Sequence, residues 1–155
     1  MLSPKMPLLS DPEGSRLPDG LPPVIDAHVH VFPDTIFSAI WKWFGQHAWP
    51  VRYQMPTAEL FEFLLSRGVS HIIALQYAHK PGLAEQLNQY MAAQCAAFKG
   101  RVTGMATVLP QEEKARDILQ KAFDMGLGGL KLHVHVQCFD MNAPYMDPVY
   151  ACCSD

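Results

Sequence analysis

The chain has 155 residues, a net charge of −3, 49% hydrophobic and 17% charged residues, enough for one buried core and too apolar for a disordered segment. That charge, without any Lys/Arg cluster, excludes a general nucleic-acid or membrane-surface binder. Four cysteines (Cys95, Cys138, Cys152, Cys153) show no CxxC spacing, so they read as reduced thiols of a cytoplasmic protein, not as a disulfide framework or a cysteine zinc site.

Residues 1–22 hold five prolines and little apolar periodicity, which predicts a flexible tail ahead of a domain over 23–155. The same prolines and charges interrupt the apolar stretch a signal peptide needs, and runs such as HIIALQYA are too short to span a bilayer.

A strand-then-helix pattern starts at Val24. Val24–Val31 predicts the first strand, and a helix follows within DTIFSAIWKWFGQ. Thr57–Arg67 predicts a second helix, with Thr57 as its N-cap and Gly68 just past its end. Ser70–Tyr77 and Val102–Leu109 predict the second and third strands. Helices over Gly82–Lys99 and Gln111–Met125 are closed by Gly100 and Gly126. Gly129–Val136 predicts a fourth strand, and Asp147-Pro148 opens a last helix. This alternation argues for βαβ units and a parallel sheet in an α/β fold. The long excursion over 32–56 carries Trp41, Trp43 and Trp49; insertions of that length after a strand are more often functional than idle.

Alternation of side chains along strands locates a site. Asp26, His28 and His30 share one face of the first strand, opposite Ile25, Val29 and Val31. Lys131, His133, His135 and Gln137 share one face of the fourth, opposite Leu130, Leu132, Val134 and Val136. Imidazoles and a lysine facing a dry core would be costly without partners. A closed barrel resolves this: aliphatics pack outward against helices and the polar face lines the mouth, where barrel enzymes keep their active sites.

His-x-His on a strand sets two rings on one side, about 6–7 Å apart along the backbone, and rotation can bring both to one ion such as Zn²⁺. Asp26 reads either as a partner that orients an imidazole or as a plain polar residue. Lys131, His133 and His135 have three readings: they bind a substrate anion or move protons, or Lys131 is carbamylated and bridges two metals, or the group is simply solvated. His79, in YAHKPG, and Trp41 are candidate substrate contacts; a polar loop and a packing cluster are their plainer readings. His47 and His71 have no chemical role in this reading.

VIDAHVHVFP, GVSHIIAL, RVTGMATV and GLGGLKLHVHVQCFDMNAPYMDPVY together resemble the amidohydrolase superfamily. The likeness is to its branch of metal-dependent hydrolases and decarboxylases that includes aminocarboxymuconate-semialdehyde decarboxylase. The resemblance implies a (β/α)8 TIM barrel with one divalent ion, Zn²⁺ first and Mn²⁺ second, for which His28 and His30 match the first-strand ligands. It implies a small-molecule, carboxylate-bearing substrate, no nucleic-acid or membrane partner, and leaves a homo-oligomer open. It also implies further ligands on the fifth, sixth and eighth strands, which this chain does not reach. The expectation is therefore the N-terminal half (strands 1–4) of a barrel, truncated and with little activity of its own. The alternative is a non-catalytic fragment that associates with a full-length partner through its open sheet edges.

Overall fold

The computed structural model describes residue 10 and residues 12–154. The β-branched runs form strands β1 (Val24–His30), β2 (Val69–Leu75) and β3 (Val102–Gly104), which pair in parallel in that order. Helices α1 (Asp34–His47), α2 (Thr57–Ser66), α3 (Ala84–Ala97) and α4 (Ala115–Asp124) follow or join them, and α5 (Val134–Gln137) and α6 (Asp147–Ser154) complete the chain. The result is a mixed α/β fold with a small parallel sheet, as the alternating pattern predicts.

The sheet's apolar parity sets the core. Val29, Val31, Ile72, Ala74 and Val102 are buried together with Phe61 of α2, Leu87 and Met91 of α3, and Leu119 of α4. His71 and Ile73, on the opposite parity of β2, are only half-buried. Close helix–sheet contact at β3 requires Gly104, where a Cβ would stand 2.5 Å from Met91 Cγ and 2.8 Å from Cys95 Sγ. Gly104→Ala is expected to destabilise the fold by about 1–3 kcal/mol through overpacking, read as a lower urea midpoint at unchanged slope.

Several expected boundaries move; the third strand, expected over Val102–Leu109, ends at Gly104, and three further changes follow. Thr57 is not the cap of α2 but its first residue, after Pro56. Its hydroxyl donates to Phe32 O at 3.4 Å and accepts from Tyr90 Oη at 2.7 Å, so it is spent on tertiary bonds. Part of the leader is tied down: Leu17 N donates to Arg67 O at 2.7 Å, and Glu13 pairs with Arg67 at 2.9 Å. Residues 1–9 and 11, where the rest of the expected tail falls, lie outside the described residues.

The third correction concerns the fourth strand. In place of an extended run over Gly129–Val136 there is a single parallel bridge, Ala106 to Leu130, and then the one-turn helix α5. Ala106 N donates to Gly129 O and Lys131 N donates to Ala106 O. In an unbroken parallel ladder a bond from Val108 N to Lys131 O would come next, followed by one from His133 N to Val108 O. A side chain is inserted there instead. Gln137 Oε1 accepts from His133 N at 2.7 Å, and Gln137 Nε2 donates to Val108 O at 2.7 Å and Ala78 O at 2.9 Å. Beside it, Asn88 of α3 ends the β3 ladder in the same manner. Asn88 Oδ1 accepts from Thr107 N at 2.8 Å and its Nδ2 donates to Thr107 O at 2.9 Å. Two buried carboxamides thus take over from the backbone at the carboxyl ends of the strands, and the chain diverges there without leaving these peptide groups unpaired.

Candidate metal and substrate site

His28 and His30 close β1, and their rings meet: Nε2 to Nε2 is 3.0 Å and the ring centroids are 4.9 Å apart. Two nitrogens held at 2.0–2.1 Å by one tetrahedral ion stand about 3.3–3.4 Å apart, so a small rotation would suit the pair to an ion. β1 carries an extra residue between Asp26 and Val29 relative to β2. Asp26 Oδ1 accepts from His28 N at 3.1 Å. Asp26 therefore serves the backbone at this bulge and is not bonded to an imidazole. The bulge lies ahead of His30, so the two histidines still turn to one side.

His30 sits deepest. Its ring lies 5.6 Å from Tyr77 edge-to-face and 6.4 Å from Phe32, and its Nδ1 is buried with no partner. Burial, then the charges of His28, Lys131 and His133, pulls its pKa down to about 4. His30 is thus a neutral imidazole at pH 7, the form that ligates a metal. The shift has a consequence for folding. A depressed folded-state value adds stability above the unfolded value of 6.5 and loses it as pH falls toward 4. In metal-free buffer the chain should lose about 2 kcal/mol over that window, after allowance for solvent screening of a half-exposed ring. Urea titrations at several pH values, compared with His30→Gln, read the difference; parallel profiles would count against it.

The structure brings Lys131 and His133 to this cluster and leaves His135 out. His133 stands 5.1 Å from Tyr77, ring to ring, and both Lys131 and His133 are close enough for their charge to act on His30. His135, expected on the same strand face, is exposed on α5 because the strand gives way to a helix at Val134. His79 is exposed in the loop after β2, its pKa lowered by partial burial and Lys80. Trp41 stacks on Phe37 at 4.8 Å, and Phe37 packs on Phe32, so the tryptophan joins the site's aromatic backing at second hand. His47 bonds to Trp43 O and His71 to Thr103, both away from the pair.

Sequence reasoning passed over Tyr77, which bridges His30 and His133 and whose pKa burial raises. Its signal was its place, the last residue of the second apolar run on the parity of His71 and Ile73. Among the described residues no three His, Cys, Asp or Glu side chains converge on one point, so the chain presents a histidine pair and not a full ligand set.

The family model described as amidohydrolase matches residues 25–155. The chain belongs to the amidohydrolase family. No curated protein and no solved structure matches it. Amidohydrolases are an enzyme superfamily of hydrolase and decarboxylase type whose members commonly use divalent metals. The histidine pair fits such an ion by spacing and by the neutrality of His30. Among the described residues no helix of this amidohydrolase is long and apolar enough to cross a membrane.

Proposed function

We propose that this amidohydrolase is built as the first strands of a (β/α)8 barrel and serves a metal-dependent hydrolysis or nonoxidative decarboxylation of a small carboxylate. The reading follows the branch that includes aminocarboxymuconate-semialdehyde decarboxylase. The observation that carries it is the 3.0 Å approach of His28 and His30 Nε2 at the carboxyl end of β1. These two residues hold the ion, preferentially Zn²⁺. When bound, the ion supplies Lewis acidity, polarising a substrate oxygen or acidifying a water. Lys131 and His133 bind and orient the substrate's carboxylate, and Phe32 and Tyr77 shield His30 from solvent. His79, exposed in the loop after β2, serves as a substrate contact in this reading.

Two imidazoles hold an ion weakly, because catalytic zinc sites commonly use three protein ligands. Turnover by a two-ligand site is accordingly low, and a further donor would be needed to complete it. The test is a Zn²⁺ titration of the histidine-¹⁵N-labelled chain. The Nε2 signals of His28 and His30 are expected to move together while those of His47, His71 and His135 stay in place. A spectrum unchanged at large Zn²⁺ excess, or a response led by His47 or His135, overturns the reading.

A further inference from the structure

The turn after Lys131 is closed from three directions. Gln137 N donates to His133 O at 2.9 Å, Gln137 Oε1 accepts from His133 N at 2.7 Å, and Val136 N donates to the His133 imidazole at Nδ1, 3.3 Å away. Gln137 is only 4% exposed. Its amide orientation is determined by chemistry: two carbonyls, Ala78 O and Val108 O, need N–H donors, and His133 N needs an acceptor. Cys138, with φ 50°, ends the turn in the left-handed region, and Gln111 Nε2 donates to Cys138 O at 3.2 Å.

The bond at Nδ1 decides what His133 can do. A neutral imidazole carries one proton. If the lone pair on Nδ1 accepts from Val136 N, the proton resides on Nε2. Such a ring offers an N–H donor and no lone pair at Nε2. It can donate to a carboxylate or a developing oxyanion, and it cannot ligate a metal ion through that nitrogen. Identity alone, three histidines near one another, would invite the opposite reading.

We propose that Gln137 is a positioning residue that fixes His133 as an Nε2–H donor, so that His133 serves an anionic substrate group and stays out of the metal's coordination. Gln137 acts by splicing the His133 turn to the ends of β2 and β3, which holds the Val136 amide against Nδ1. The site is thereby divided: the β1 pair supplies lone pairs, and the segment after β3 supplies donors, His133 Nε2–H and the Lys131 ammonium. The substrate class that fits the second half is a carboxylate. The inference rests on the proposed metal reading only in assigning the lone-pair half to an ion; the tautomer of His133 stands apart from it.

The experiment is long-range ¹H–¹⁵N correlation of the histidine-labelled chain, free of metal and above pH 7, with His133 assigned from His133→Phe. Nδ1 of His133 is expected to show the unprotonated signature and Nε2 the protonated one, and the Val136 and His133 amides should exchange slowly with solvent. In Gln137→Met the two nitrogens should move toward averaged values and both amides should exchange faster. A variant that merely loosened the fold would lower the unfolding midpoint with the tautomer intact, and that outcome overturns the positioning role. A proton on Nδ1 in the unaltered chain, or rapid exchange at Val136, overturns the proposal without need of any variant. Zn²⁺ added afterwards separates the two readings. Movement of His28 and His30 with His133 unchanged supports the division, movement of all three overturns it, and no movement sinks the metal reading alone.

Discussion

Alanine at either His28 or His30 is expected to lower Zn²⁺ affinity by on the order of 100-fold or more, since loss of partners one shell further out already costs about 10–100-fold. The effect should be legible as lost stabilisation. An ion that binds only the folded chain adds about 2.7 kcal/mol at 100 times its dissociation constant. Thermal unfolding with and without Zn²⁺ should show that increment in the unaltered chain and lose it in both variants. His28 is exposed, so His28→Ala should leave the metal-free fold within about 0.5 kcal/mol of the original. His30→Ala loses ring packing on Phe32 and Tyr77 but also removes the unpartnered Nδ1, and those terms oppose one another. His47→Ala, at a ring stacked on Trp43 and bonded to its carbonyl, is the control. Equal Zn²⁺ stabilisation of all four chains would remove the histidine pair from the account.

The pair was legible because its geometry is local. Two residues apart on one strand, one within a bulge and one just after it, His28 and His30 still bring their rings together as period-2 counting assigns them. Asp26 shows the limit of that counting. Its position on the right face suggested an imidazole partner, whereas the bulge leaves a backbone amide close by and the carboxylate takes that one.

The segment LKLHVHV misled for a different reason. Its alternation of aliphatic and polar residues is a sound strand signal, yet a strand continues only while a neighbour offers a ladder. At Val108 the acceptor is already occupied by Gln137 Nε2, a residue further along the same segment. That competition is tertiary and leaves no periodic trace. Lys131 precedes the break and joins the cluster; His133 caps the turn and joins it; His135 follows and is lost to solvent. The parity grouping therefore held for Lys131 and for His133, one position of that face past the last ladder bond, and failed at His135. Membership of the amidohydrolase family, by contrast, was legible from the HxH strand and the KLH segment together, because motif likeness does not depend on where the strand ends.

Asn88→Leu is expected to be among the most destabilising single changes in the chain, by about 3–5 kcal/mol. In helical periodicity an asparagine midway along α3 reads as a solvent-facing residue, yet its relative exposure is 1%. Its carboxamide exchanges both hydrogen bonds with Thr107, in the way one strand residue does with another, and also accepts from Gln76 Nε2 at 3.4 Å. Thr107 and Gln76 are themselves fully buried. Leucine would strand the Thr107 amide and carbonyl, and each unsatisfied buried group costs about 1–3 kcal/mol. A water entering the gap would bring the loss toward the lower end. The effect should reach the site, because Thr107 Oγ1 accepts from Ala78 N at 3.0 Å and Ala78 O accepts from Gln137. Urea unfolding of Asn88→Leu beside Gln89→Ala, an exposed neighbour expected within about 0.5 kcal/mol of the original chain, isolates the buried amide from the helix. Faster exchange of the His133 amide in the first variant alone would show that the two carboxamides act as one brace. If Asn88→Leu left the midpoint where Gln89→Ala leaves it, the ends of β2 and β3 would have to be held by something other than this network.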